Sequence, residues 1–422
     1  MSAADASGNH VGHPGRMKTV GGGLAIVATA LVAINLRPGA SSIGPVLEEV
    51  TAGLGTGSVV AGILTGMPGL CFGLVGATAV GLARRMGITT GIAAGLTCTA
   101  LCLILRGGTD APWLFLALSA GALAGMAVGN VLVPAWIKAH ASSENVVLPT
   151  VYGTALILGG TLGSALTAPL AEQLGWSRGL SVWGLVALTA LPMWAWLSLR
   201  ERSLAPTYDA ARPVATIRIY RSPTAVALAI LFGLQAMHAY VQLGWLPQIY
   251  RDAGFSAATA GVMTATVMAL GVMGALLMPT VIARSENLAP WMCAFGAALA
   301  LGYLGLLLLP ATAPWLWALL LGFSGFAFPT TIAMLTARTR HHTVTARLSG
   351  FVQPTGYLLA AVGPASVGLL HALTDGWTAP LLMLLATVVP FTWAGIRVSR
   401  PVHVDDEITV DAWPRMTDRG AT

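Results

Sequence analysis

The stretch RERSLAPTYDAARPVATIRIYRS (200–222) decides how this chain is laid out. It carries Arg200, Arg202, Arg212, Arg218 and Arg221 with Pro206 and Pro213, and it is the longest internal polar run. Such a segment cannot pack among apolar helices and reads as a linker. Outward from it, apolar runs of about twenty residues recur in both directions, the length that crosses a bilayer as a helix. Charged and turn-forming borders place these runs at 20–48, 57–82, 88–105, 112–138, 147–174 and 178–199 before the linker. After it they fall at 223–250, 257–283, 290–310, 313–337, 347–372 and 377–397. The expected protein is all-α and membrane-embedded, with twelve transmembrane helices in two six-helix bundles. Its parts are a tail at 1–19, a bundle at 20–199, the linker at 200–222, a bundle at 223–397 and a tail at 398–422.

Composition agrees. Of 422 residues 55% are apolar and 9% are charged, against about a quarter charged in a soluble domain. The net charge of +6 does not point to nucleic acid, because the cations sit in short loops and form no stripe. Counted near the membrane, sixteen Lys and Arg residues fall on the side of the linker and three, Arg106, Arg178 and Arg251, on the other. Cationic loops resist translocation, so both termini and the linker are expected in the cytoplasm, with the chain in a bacterial cytoplasmic membrane. Residues 1–20 have no short apolar core before a cleavage site, so no removable signal is expected. Cys71, Cys98, Cys102 and Cys293 lie in apolar runs without metal-binding partners. The halves echo each other: LAEQLGW (170–176) matches LHALTDGW (370–377), and PVLEEVTAGLGTGSVVAG (45–62) parallels PQIYRDAGFSAATAG (247–261). Duplicated halves with a solute site between them are the design of secondary transporters.

One charge stands inside the first helix. Arg37 lies eleven residues before Glu48, roughly 16 Å along a helix, which is beyond the reach of a snorkelling side chain. A cation at that depth is costly and faces a partner, a solute or water; the competing reading is a structural arginine bound to neighbouring carbonyls. A guanidinium offers a planar fork of donors suited to a carboxylate, cyanate or nitro group. Pro38 removes a backbone donor and frees the carbonyl near Ile34, which predicts a kink beside Asn35 and Arg37. Gln235, His238 and Gln242 share one face of the seventh helix, and His238 falls near Arg37 when Pro45 and Pro247 are aligned. It is the candidate for proton coupling, with an interhelical hydrogen-bond network as the alternative. Asn130, Tyr152, Gln353 and Tyr357 are the other intramembrane polar candidates, set against a role as packing glue. Glu48, Glu49, Asp110, Glu144, Glu172, Asp252, Glu286 and Asp375 fall at segment ends or in loops. His341 and His342, with Arg338, Arg340 and Arg347, read as a cytoplasmic anchor, and the acidic tail 403–422 as flexible with no role.

These residues resemble a known family. NLRPGASSIGP (35–45), GILTGMPGLCFGL (62–74), GNVLVPAWIK (129–138) and YGTALILGG (152–160) are similar to the cyanate and 2-nitroimidazole permease (CynX/NimT) group of the major facilitator superfamily. FGLQAMHAYVQLGWLPQIYRDAGFS (232–256) and LSGFVQPTGYLLAAVGPASVGLLHALTDGW (348–377) extend the likeness over about 20–397. The resemblance implies two pseudo-symmetric bundles and carriage of a small solute. VGLARRMG (80–87) resembles the superfamily's gating loop, with Arg84, Arg85 and Gly87 in the motif and Arg84 where an acid would stand. The expected function is a secondary transporter for a small anionic or electron-poor organic solute, working by rocker-switch alternating access, with proton coupling left open. Arg37 would hold the solute, and Asn35, Asn130, Tyr152, Gln235, His238, Gln353 and Tyr357 would complete the pocket. A transporter-like receptor that binds without turnover is the alternative. An enzyme is not expected, since no zincin pair or nucleophile elbow is present. No cofactor, metal or nucleic-acid partner is called for, and the chain is expected to be a monomer in lipid.

Overall fold

A computed structural model describes residues 22–140, 147–201, 218–285 and 287–408. The first span is broken into α1 (Gly22–Ile34), α2 (Pro38–Ser41) and α3 (Leu47–Gly53), with a 3-10 turn at Gly44–Val46. Then come α4 (Ser58–Met86), α5 (Ile88–Arg106), α6 (Pro112–His140) and α7 (Val147–Leu174). The sixth span is α8 (Trp176–Leu188) with α9 (Leu191–Glu201). The second half holds α10 (Pro223–Asp252), α11 (Ala257–Arg284) and α12 (Ala289–Leu308). It continues through α13 (Pro314–Ser324) with α14 (Ala327–Ala337), then α15 (His342–Thr374), α16 (Thr378–Ser399) and the short α17 (Val404–Glu407). Among the described residues 12 spans are long and apolar enough to cross a membrane, and their borders fall within a few residues of the sequence reading. Leucine and valine side chains such as Leu199, Leu373 and Val389 stand exposed on the outside of the bundle, as lipid-facing residues do. Residues 1–21, 202–217 and 409–422, with most of the expected linker and the distal tail, lie outside the described residues.

The halves meet along two helix pairs, α4 with α15 and α7 with α11. Small residues let the backbones of α4 and α15 touch. A Cβ on Gly62 would lie 3.2 Å from Gly368 Cα, and one on Gly66 or on Gly69 would lie 2.9 Å from the Ala361 backbone. Gly73 meets Leu358 in the same row, whereas Gly81 and Gly350, nearer the linker, have no neighbour within 4 Å. The two helices therefore touch at the end remote from the linker and diverge toward it. At the remote end Arg251 bridges Glu48 at 2.8 Å and Glu49 at 2.7 Å, and Ser58 Oγ lies 3.3 Å from His371 Nδ1. His371 in turn packs against Trp245 and Trp377.

The sequence reading of the acidic tail is corrected over 403–408. Glu407 accepts from the Thr224 backbone N–H at 2.9 Å, from the Thr224 hydroxyl at 2.9 Å and from Arg397 at 3.0 Å, and also from Ser222. A carboxylate there meets the partial positive charge at the start of α10. Asp405 does the same for α15, accepting from the Arg340 N–H at 2.9 Å and from His341 Nδ1 at 2.8 Å. Partial burial alone would raise both carboxyls. The hydrogen bonds from His341 and Arg340 outweigh it for Asp405, and those from Ser222, Thr224 and Arg397 for Glu407, so both are held below their ordinary values.

Candidate functional site

The break in the first span sets the geometry of the site. Pro38 has no N–H to continue the helix, so α1 closes with tight turns, the Asn35 N–H on Val32 O and the Leu36 N–H on Ala33 O. Arg37 caps α2 with φ −126° and ψ −34°, outside helical geometry. The kink expected from Pro38 is thus a full interruption. α7 closes on it through glycine: Gly159 lies directly on the Ile34 carbonyl, and a Cβ on Gly160 would sit 3.3 Å from Arg37 Cβ.

The Arg37 side chain is half-buried. Its guanidinium carbon lies 6.0 Å from the centre of the Phe72 ring, a cation–π arrangement. Tyr152, Tyr240 and Tyr357 are within electrostatic reach of it. Among the described residues no carboxylate pairs with Arg37 and no acceptor takes a hydrogen bond from it. The rings around it form a connected wall. Phe72 lies 5.9 Å from Tyr357 and 6.4 Å from Tyr240, and Phe232 meets Tyr357 edge-on at 5.0 Å. Phe72 comes from α4, Tyr152 from α7, Tyr240 from α10 and Tyr357 from α15, so both halves contribute. An uncompensated cation ringed by aromatic faces suits a flat or compact group with negative or electron-poor character.

The other sequence candidates are placed unevenly. Asn130 is half-buried; its amide donates to Met126 O at 3.0 Å and its oxygen accepts from the Tyr152 hydroxyl at 3.4 Å, which links it to the Arg37 cluster. Gln353 stands half-buried one turn from Tyr357 on the same face of α15. Asn35 is buried and turns back to Leu31 O at 2.8 Å, satisfying the end of α1. His238 is not brought to Arg37. It is 1% exposed, and its ring nitrogens meet the hydroxyls of Tyr303 at 3.0 Å and Thr387 at 3.3 Å, both in the second half. Gln242 reaches the same Tyr303 hydroxyl at 3.4 Å. Gln235 is buried with its carbonyl oxygen unpartnered among the described residues. His238 and Gln242 share a face as expected, but that face meets Tyr303 of α12 and, through His238, Thr387 of α16.

Residues 27–364 match the family model of the Major Facilitator Superfamily. The chain belongs to the major facilitator superfamily. It is 30% identical to an uncharacterized transporter of Bacillus subtilis, YycB, over 90% of this chain and 94% of that protein. It is likewise 30% identical to the 2-nitroimidazole transporter of Escherichia coli over 85% of this chain and 90% of that one. The cyanate transport protein CynX of Escherichia coli is 28% identical over 83% and 91% of the two chains. In fold, the chain superposes on an inward-facing, occupied bacterial homolog of the lysosomal transporter Spinster with a TM-score of 0.71. The two share 14% sequence identity over 92% of this chain and 99% of that one.

The stretch 80–87, which resembles the superfamily's gating motif, ends in a tight turn between α4 and α5. Gly87 makes it with φ 88°, a conformation that only glycine adopts at no cost. Arg84 and Arg85 stand exposed in the last turn of α4, and no carboxylate pairs with either among the described residues. Three residues of the site region escape a reading of the sequence. Phe72 hides in a run of apolar letters. Tyr240 lies only two positions past His238, which turns it roughly 200° away and onto the face that meets Phe72. Arg106, counted above as an outer-loop charge, is 1% exposed and reaches inward to Gly39 O at 3.3 Å and Ser42 Oγ at 3.2 Å.

Proposed function

We propose that this transporter carries a small anionic or electron-poor organic solute, of the cyanate, carboxylate or nitroheterocycle kind, through rocking of its two halves around Arg37. The observation that carries the reading is the half-buried Arg37 guanidinium with no carboxylate and no hydrogen-bond acceptor among the described residues, lying over Phe72 and ringed by Tyr152, Tyr240 and Tyr357. A solute with negative character completes that arrangement, and the functions for which two relatives are named, 2-nitroimidazole and cyanate transport, fit it. Asn130 and Gln353 line the same space. The contact of α4 with α15 at the Arg251 end, together with their divergence toward the linker, supports a conformation closed to the outside and open to the cytoplasm. In this reading the linker and both termini are cytoplasmic, the membrane is the bacterial inner membrane, and one chain suffices for transport. Proton coupling, if present, rests on a group other than a carboxylate at Arg37, and His238 is its candidate through the Tyr303 and Thr387 contacts.

The test uses purified protein in liposomes that contain no ATPase, offered 2-nitroimidazole and cyanate, with thermal shifts recorded for wild type and Arg37→Ala. Uptake with stabilisation confined to wild type supports the assignment. A solute that stabilises both proteins equally does not touch Arg37 and refutes its role. Binding without any uptake or counterflow indicates a receptor.

A further inference from the structure

Arg106 ends α5 as a cation that is 1% exposed, and no carboxylate pairs with it among the described residues. Burial of an ion without a counter-ion is costly, and an apolar side chain of similar size packs in such places at little or no loss of stability. Its surroundings repay that cost only in part, through a cation–π contact and two hydrogen bonds. The Phe115 ring lies 5.9 Å from the guanidinium carbon, and the Nε–H has no acceptor. The two bonds it does make converge on one short piece of chain, Gly39 O and Ser42 Oγ, in and just after α2.

That piece carries Arg37. α2 is a single turn of four residues whose cap is Arg37 itself, and one turn cannot hold its own orientation. Its other contacts are mainly packing: Gly39 sits on Met126 and Leu103, a Cβ on Gly163 would lie 3.0 Å from Pro38 Cα, and the one directed contact from α7 is a single long bond from the Ser164 hydroxyl to Ser41 O at 3.4 Å. Packing of this kind fixes how far away α2 lies. Directed hydrogen bonds to two acceptors three residues apart fix how it is rotated, and a planar fork supplies both from one group.

We propose that Arg106 is a positioning residue, a buried clamp that holds α2 in the rotation that aims Arg37 at the solute. It acts from α5 without touching the solute. The proposal rests on Arg37 as the solute's anchor, but it concerns the placement of Arg37 in the empty protein, so the two can be tested apart.

The experiment measures modification of individual arginines by phenylglyoxal in the detergent-purified, solute-free full chain, with site occupancy read by mass spectrometry. Variants are Arg106→Met, Arg106→Lys and Ser42→Ala, and the exposed Arg84 and Arg85 serve as internal standards. The expected result is a rise in the Arg37 rate of about threefold or more in Arg106→Met, as loss of the clamp's hydrogen bonds implies. Smaller rises are expected in Ser42→Ala, which keeps the bond to Gly39 O, and in Arg106→Lys, which keeps the charge and a donor without the planar fork, with the standards unchanged. If Arg106→Met does not fold, Ser42→Ala decides the matter. An Arg37 rate equal to wild type in the folded variants, or a parallel rise at Arg84 and Arg85, overturns the proposal, because the first denies a link to Arg37 and the second reports general loosening.

Discussion

Substitution of Gly66 by alanine tests the closed end of the molecule directly. A Cβ at Gly66 would sit 2.9 Å from Ala361 O and 3.6 Å from Ala365 N. Both are backbone atoms, so no rotamer change makes room and α4 must back away from α15. Overpacking of this kind costs about 1–3 kcal/mol, and the cost falls on the conformation in which the two helices touch. A two-state equilibrium then shifts toward the outward-open form by roughly 5- to 150-fold. The reporter is Thr65→Cys, 5% exposed in the wild-type residue and set against Gly244, in a background without Cys71, Cys98, Cys102 and Cys293. Its reaction rate with a membrane-impermeant maleimide added from outside should rise by that factor. Gly81→Ala is the control, since nothing lies within 4 Å of its added carbon. An unchanged rate in Gly66→Ala, or equal rates in the two variants, would refute the assignment of this contact to the outward-closed state.

Three further outcomes are expected. Arg37→Gln should weaken solute binding by about 10- to 150-fold, the range for a hydrogen bond to a charged group, while thermal stability stays level; titration of the solute against purified protein reads the first and differential scanning fluorimetry the second. His238→Leu strips a partner from the Tyr303 and Thr387 hydroxyls, so stability should fall by about 1–3 kcal/mol with solute affinity unchanged; a large affinity loss at normal stability would instead place His238 at the solute. Glu407 is held below its ordinary value of 4.5, so the folded protein binds its proton less readily than the unfolded chain does. Its contribution is therefore full above about pH 4.5 and is lost as pH falls through the folded value. Melting curves from pH 3 to 7, about the span of carboxylate titration, should show a smaller acid loss in Glu407→Gln than in wild type.

Span positions were legible because the bilayer imposes one length and one chemistry on every crossing, and the break at Pro38 was legible because proline lacks a donor. What the sequence withheld is the choice of neighbour. Periodicity places Gln235, His238 and Gln242 on one stripe of α10, but only packing decides that the stripe meets Tyr303 and Thr387 while Tyr240, around the helix, meets Phe72. Arg106 reads as a loop charge because Gly107 and Gly108 follow it; its inward turn depends on the Gly39 carbonyl and the Ser42 hydroxyl, far earlier in the chain. Aspartates and a glutamate in a polar tail carry no periodic signal, so the docking of Asp405 and Glu407 was invisible until helix starts stood beside them.

That docking has a consequence for how the protein is made. Glu407 caps a helix whose Ser222 was synthesised 185 residues before it, and Asp405 closes the start of α15 from 64 residues downstream. The spans of the second half enter the membrane in order, yet two of them receive their final caps only when the last described residues leave the ribosome. A chain cut short after α16 has all twelve spans inserted and still lacks the piece that finishes them, so quality control could tell it from the full product by its frayed ends alone.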